Sequence, residues 1–272
     1  MRIRLGHSPD PDDAFMFWGL ASGAVDPGGF EFEHVLADIQ TLNEWALEGR
    51  LEVTALSLHA YPFVQDRYVL LPHGASMGSG YGPIVVARRP LDLDGAEIAV
   101  PGRMTTAFLL LRLAVGDFAF HETPFDRIID EVKRGGADAG LLIHEGQLTY
   151  ETEGLTKVLD LGEWWLAETG LPLPLGVNAA RRDLGDEALS RLASVLADSI
   201  RAGLERRSEA LAYARRWARG MPDELTDRFV SMYVNDLTRD YGEEGRAAVH
   251  ELLRRGEALG AFDAPVQVEF VR

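Results

Sequence analysis

The chain has 272 residues, 46% hydrophobic and 26% charged, enough apolar material to bury one large core or two modest ones and too apolar for disorder. Aspartate and glutamate outnumber lysine and arginine by 43 to 27, for a net charge of −16. That charge argues against nucleic-acid or anionic-membrane partners, which need a positive surface, although local donors can still hold a small anion. With no cysteine in the chain, disulfides, thiolate nucleophiles, iron–sulfur clusters and cysteine-type zinc sites are excluded.

MRIRLGHSPD moves within a few residues into a strand-like piece, without the apolar run of a signal peptide. No stretch approaches the ~20 apolar residues of a membrane span, so the expectation is a soluble, cytoplasmic protein. The first half alternates strand-like and helix-like pieces. Ile3–Leu5 precedes a helix through Phe15–Leu20; Phe32–Leu36 precedes Thr41–Leu47; Val53–Leu56 and Ile84–Val86 follow. A second series runs Ile98–Val100, a helix from Thr105 through Leu113, Asp117–Phe120, a helix over Phe125–Arg134, and Ala139–Ile143. The two meet at RRPLDLDGAE, residues 88–97, which reads as a connector. This is the βαβ alternation of open, mostly parallel α/β sheets.

From Asp186 to Ala258 the spacing is helical, with three or four helices broken at Arg219–Pro222 and Tyr241–Gly242. A helical tail after two α/β units is expected to pack back on the first. The expected organisation is a discontinuous larger domain, residues 1–88 plus 178–272, a smaller inserted domain, 89–177, and a ligand cleft between them.

Several segments bear on chemistry. GHSPDPDDAF, 6–15, is a turn leading to a helix with Asp12 or Asp13 as cap; it brings Ser8 to a strand's C-terminal end, and its His7 and three acids match no metal-ligand spacing. DIQTLNEWAL, 38–47, offers Asp38 or Thr41 as cap, sets Leu42, Trp45 and Ala46 on one helical face, and can aim the Asn43 amide into the cleft. In TALSLHAYP, 54–62, Leu56 ends a strand and Ser57 follows, placed to hydrogen-bond a ligand. A nucleophilic serine would need G-x-S-x-G, which is absent. His59 is expected at the surface or in packing. MGSGYGP, 77–83, lacks the Lys-Ser/Thr of a phosphate loop and suits close approach or a hinge.

VPGRMTTAFLLLRL, 100–113, turns at Pro-Gly and opens a helix with Thr105 or Thr106 as cap; its free N–H groups, hydroxyls and positive dipole end suit a carboxylate. GLLIHEGQLTY, 140–150, places His144 at the end of a buried strand facing the same cleft. It can be a cap or a base, and no H-E-x-x-H follows that would indicate zinc. Glu145 reads as a first-turn acid or an orienting partner. In DLGEWWLAETGLPLPLG, 160–176, Trp164 and Trp165 can pack under a hinge or cover an aromatic ligand.

Together SPDPDDAFMF, DIQTLNEWALEGR, TALSLHAY, GYGPIVVARRPL, AVPGRMTTAFLLL, GLLIHEGQLTY, DLGEWWLAETGLPLPLG and YVNDLTRDYGEEG resemble, in order, the 1,4-dihydroxy-6-naphthoate synthase family of the futalosine route to menaquinone. The resemblance implies a two-domain type 2 periplasmic-binding-protein fold. It also implies a lyase that splits cyclic dehypoxanthinyl futalosine to 1,4-dihydroxy-6-naphthoate and dihydroxyacetone, with no redox or metal cofactor. The family's histidine base falls on His144, its ligand-contacting serine on Ser57 and its paired threonines on Thr105 and Thr106. The expected contact set is Ser8, Asn43, Leu56, Ser57, Thr105 and Thr106 around an anionic aromatic substrate; no oligomeric interface is legible. Chorismate dehydratase shares the fold but not the histidine motif, and a solute-binding protein for a small carboxylate is the non-enzymatic alternative. One departure stands out: where the family reads S-P-C-P-N-D-T-F, this chain has Ser8-Pro9-Asp10-Pro11-Asp12-Asp13-Ala14-Phe15, and the added charge would disfavour an anion nearby.

Overall fold

The apolar runs become two sheets, seen in a computed structural model that describes all residues from Met1 to Arg272. In chain order the strands are β1 (Arg2–His7), β2 (Glu31–Leu36), β3 (Val53–Ser57), β4 (Tyr68–Leu70), β5 (Ser76–Gly78), β6 (Ile84–Ala87), β7 (Glu97–Val100), β8 (Ala119–Glu122), β9 (Ala139–Leu142), β10 (Thr156–Asp160) and β11 (Leu173–Arg181). The first sheet has the order β2-β1-β3-β11-β4, with β5 also on β11; the second is β10-β6-β9-β7-β8. In the first sheet β1 runs parallel to β2 and β3, and β11 runs against β3, β4 and β5. In the second, β7 is parallel to β8 and β9, whereas β6 opposes β9 and β10. Each sheet is therefore mostly parallel with one reversed strand, β11 or β6. These are the strands by which the chain enters a sheet from the other half.

The strand Ile84–Val86, grouped by its spacing with the first series, belongs to the second sheet, and Leu173–Val177 lies in the first. The chain crosses at residues 79–83 rather than at 88–97. IVVA is buried on both faces, and such a run carries no alternation to say which sheet receives it.

The crossover also shows what its glycines do. A Cβ on Gly162, in the helix Leu161–Thr169, would lie 2.0 Å from the Tyr81 carbonyl carbon and 2.4 Å from the Gly82 nitrogen. The first turn of that helix thus packs backbone to backbone against the crossover.

Other pieces follow the spacing with small shifts. The helix expected through Phe15–Leu20 is two short ones, Pro11–Met16 and Trp18–Ala21. Its cap position is Asp10 rather than Asp12 or Asp13, because Pro11 takes the first helical position and leaves the next two acids in the first turn. Asp38 caps Ile39–Leu47 through the Thr41 N–H at 3.1 Å. The strand expected at Asp117–Phe120 begins two residues later, at Ala119.

The C-terminal region forms Asp186–Glu205, Arg207–Ala214, Asp223–Tyr233 and Gly242–Ala258, with a single turn at Asp236–Arg239. Leu192, Leu196, Ala210 and Val230 from these helices share one cluster with Ile3, Leu5 and Phe15, so the tail covers the first sheet. The largest cluster joins Leu56 and Tyr61 to Leu109 and Trp165, and so spans both halves. Each such fully buried leucine contributes about 1.5–3 kcal/mol, which favours the two halves staying packed together around the cleft.

Candidate active site

The C-terminal ends of β1, β3, β7 and β9 meet at one cavity between the halves, the place where open α/β sheets concentrate ligand chemistry. It holds about 720 Å³, solvent at its mouth included, and Ser8, Leu56, Ser57, Thr105, Thr106 and His144 all line it.

Ser57 ends β3 and is fixed from behind by Asn43. The Ser57 N–H donates to Asn43 Oδ1 at 2.9 Å, and Asn43 Nδ2 donates to Ser57 Oγ at 3.0 Å. Because Oγ accepts from the amide, its own O–H is left to donate into the cavity. Asn43 itself is fully buried and does not line the cavity. It holds the serine from behind.

Thr105 caps the helix Thr106–Val115. Its hydroxyl accepts from the Phe108 N–H at 3.2 Å and donates to the Gly102 carbonyl at 2.8 Å. The Thr106 hydroxyl donates to the Leu175 carbonyl at 2.6 Å and accepts from the His59 N–H at 3.2 Å. Both hydroxyls are thereby occupied, and the backbone N–H groups of Thr106 and Ala107, which lack intrahelical partners, are the donors this turn offers. His59 is buried, and its Nδ1 donates to the Thr105 carbonyl at 3.1 Å. Burial lowers its pKa to about 4, so the ring is neutral at pH 7.

The first turn puts its acids inside the molecule. Ser8 donates to Asp13 Oδ2 through its N–H at 2.7 Å and its hydroxyl at 2.9 Å. Burial nonetheless raises Asp13 to about 6. Asp12 lines the cavity with one carboxyl oxygen unpartnered; burial first, then the charges of Asp13 and Asp10, push it well above the usual carboxylate range. Of the two acids this turn adds to the family pattern, Asp12 thus shifts toward its neutral form and Asp10 is paired with Arg219, which lessens the repulsion of an anion expected from the sequence.

His144 stands two residues beyond the end of β9 with φ of 53°, the left-handed region that costs a non-glycine residue on the order of 1–2 kcal/mol. Its side chain is 17% exposed, and Nδ1 lies 3.3 Å from Asp10 Oδ2. Nε2 is buried without a partner. One ring nitrogen thus lies beside a carboxylate and the other has no partner, an arrangement that favours one tautomer of the ring and suits base chemistry. The Phe125 ring packs edge-on against the imidazole at 5.0 Å.

The chain matches the family model described as menaquinone biosynthesis over residues 3–258. It belongs to that family. A Thermus thermophilus protein named 1,4-dihydroxy-6-naphtoate synthase is 48% identical over 95% of both chains, and a Streptomyces coelicolor protein of the same name is 40% identical over 96% of this chain and 95% of its own. An Archaeoglobus fulgidus crystal structure superposes with a TM-score of 0.93 at 50% identity, covering 96% of this chain and 98% of that one. A Candida albicans protein described as having the generic periplasmic binding protein fold superposes at 0.74 with 12% identity, over 98% of this chain and 92% of its own. That likeness gives the fold alone, and it agrees with the two-sheet architecture.

The family member's cavity also holds groups that sequence spacing did not single out. Gln147 and Tyr233 line it and hydrogen-bond each other at 2.8 Å across the cleft. Asp10 and Arg219 stand behind His144. Trp165 is buried with its Nε1 donating to the Pro172 carbonyl at 3.0 Å, and neither it nor Trp164 lines the cavity; the pair packs in the largest core cluster. No group of three or more histidine or acidic side chains is placed to hold a metal ion, and no helix is long and apolar enough to cross a membrane.

Proposed function

We propose that this protein is a 1,4-dihydroxy-6-naphthoate synthase, a cytoplasmic carbon–carbon lyase that splits cyclic dehypoxanthinyl futalosine to 1,4-dihydroxy-6-naphthoate and dihydroxyacetone. The observation that carries the reading is His144, with Nδ1 beside Asp10 and Nε2 unpartnered, in a cavity between the halves that also offers donors for a carboxylate. Two relatives named 1,4-dihydroxy-6-naphtoate synthase support the choice of product.

In this scheme the substrate carboxylate accepts from the N–H groups of Thr106 and Ala107 at the helix start and from the Ser57 hydroxyl. The paired hydroxyls of Thr105 and Thr106 do not grip it directly; they shape and hold the turn. Neutral His144 takes a proton through Nε2. The electron pair left behind forms the new ring double bond, the carbon–carbon bond to the three-carbon piece breaks, and that piece leaves with a proton in place of the one removed. Aromatisation of the ring supplies much of the driving force. Closing of the two halves on the substrate excludes water and protects the intermediate.

A His144→Ala variant is the test. Loss of a general base costs about 10²–10⁴-fold in turnover, read as naphthoate formed from the futalosine substrate. A variant within twofold of the parent would end the role assigned to His144. Tight binding of the substrate by the parent protein without product would favour the solute-binding reading instead.

A further inference from the structure

Two residues other than glycine have positive φ in this chain, His144 at 53° and Arg219 at 49°. They come from opposite halves, and both lie against the ring of Phe125, His144 edge-on at 5.0 Å and Arg219 with its guanidinium 4.8 Å from the ring centre. Strained backbone of this kind persists where the surroundings over-determine it, and it clusters at functional sites. Asp10 lies between the two. One of its oxygens is 3.3 Å from His144 Nδ1 and the other 2.7 Å from Arg219 Nη1. The same Nη1 donates to both oxygens of Glu145 at 2.9 and 3.1 Å, and Nη2 reaches the Pro9 carbonyl at 3.4 Å. Arg219 sits in the break between two helices of the C-terminal region, which packs on the first sheet. Glu145 follows His144 on the second half.

We propose that Arg219 is a positioning residue for His144: from the far side of the cleft it holds Asp10 against the imidazole and anchors to Glu145, so the base is aligned when the two halves are shut. The inference rests on His144 being the base, and it adds a device that couples closure to the readiness of that base. Asp10 fixes the tautomer with Nε2 unprotonated. Arg219 keeps the buried carboxylate of Asp10 in place and opposes its charge, so that the imidazole is not over-stabilised as its cation. Because the guanidinium forms three separate polar links in a fixed fork, a lysine can replace its charge but not its geometry.

The charged and titratable groups around His144 are Asp10, Asp12, Asp13, Glu145 and Arg219. Removing one charge from this set moves the imidazole in a direction that depends on which charge goes. Arg219→Gln leaves Asp10 and Glu145 uncompensated and raises the His144 pKa; Asp10→Asn lowers it. Shifts of about one pH unit in opposite directions are expected for charges at these distances.

The experiment measures the acid limb of kcat/KM against pH on cyclic dehypoxanthinyl futalosine for the parent, Asp10→Asn, Arg219→Gln and Arg219→Lys. The His144 ring is followed by NMR titration in the same proteins without substrate. Expected are a limb about one unit higher for Arg219→Gln, one about one unit lower for Asp10→Asn, and Arg219→Lys near the parent limb with kcat about tenfold down. If neither neutralising variant moves the limb or the NMR titration, the positioning role is overturned. If the parent makes no naphthoate but the NMR titration moves as described, the synthase reading fails while the Arg219–Asp10–His144 coupling stands. Should Arg219→Gln not fold, the sign for Asp10→Asn and the lysine comparison still decide the matter.

Discussion

Lowering the pH from 7 to 5 should destabilise this protein by several kcal/mol, although two of its buried acids push the other way. His7, His59 and His73 are each about 5% exposed or less, and burial lowers each to about 4. A histidine whose folded pKa lies below its unfolded value near 6.5 binds fewer protons folded than unfolded. Its stabilising contribution is therefore complete above pH 6.5 and is lost as the pH falls toward 4. For a drop from 6.5 to 4 the loss at pH 5 is roughly 2 kcal/mol per group, or roughly 6 for the three. Asp13 acts in the opposite sense: raised to about 6, it binds protons more readily folded than unfolded, and returns roughly 1 kcal/mol between pH 7 and 5. Asp12, raised by the same burial, adds to that return, and His34, lowered to about 4 and only partly buried, adds to the loss. The histidines win. Urea unfolding followed by far-ultraviolet circular dichroism at the two pH values should show the midpoint falling at pH 5, against a total stability of about 5–15 kcal/mol for proteins in general. A midpoint unchanged or higher at pH 5 would refute the reasoning, since it would mean these rings are protonated or solvated in the folded state.

Asn43→Ala orphans the buried Ser57 N–H and should cost about 2–3 kcal/mol in a urea melt, with KM rising more than kcat falls because the serine loses its support; a melt within error of the parent would place the serine's anchor elsewhere. Thr106→Val leaves the Leu175 carbonyl and the His59 N–H without a partner and should cost about 2–4 kcal/mol, while Thr106→Ser, which restores the hydroxyl, should recover most of it. Gly162→Ala drives a Cβ into the backbone of Tyr81 and Gly82, where no flexible side chain can yield, so a loss of about 3 kcal/mol or more is expected; an unchanged melting temperature would show that the crossover can shift.

The parts of the site that could be read in the sequence are those that sit at the ends of elements. Ser57 and His144 follow buried apolar runs, and Thr105 stands at a helix cap, so local pattern alone carries them to the C-terminal edge of a sheet. The resemblance then supplied their expected roles. Asn43 was legible as a polar group on an amphipathic helix, but its direction was not, because facing the cleft and facing the end of β3 differ only in tertiary packing. Arg219 lies 74 residues from Glu145 and 210 from Pro9, and in the sequence it marks only a break between helices. Asp10 reads as one acid among three, since nothing local distinguishes a residue that pairs with histidine from one that begins a helix. The same limit explains β6: a strand buried on both faces records its burial and not its partners.

In the proposed reaction the cavity acts as a lyase with His144 as its base. The decisive measurement incubates purified protein with cyclic dehypoxanthinyl futalosine and quantifies both products. Expected are 1,4-dihydroxy-6-naphthoate and dihydroxyacetone in equal amounts, and their loss in the His144→Ala variant. Substrate bound and recovered unchanged from the parent protein would contradict the proposed reaction.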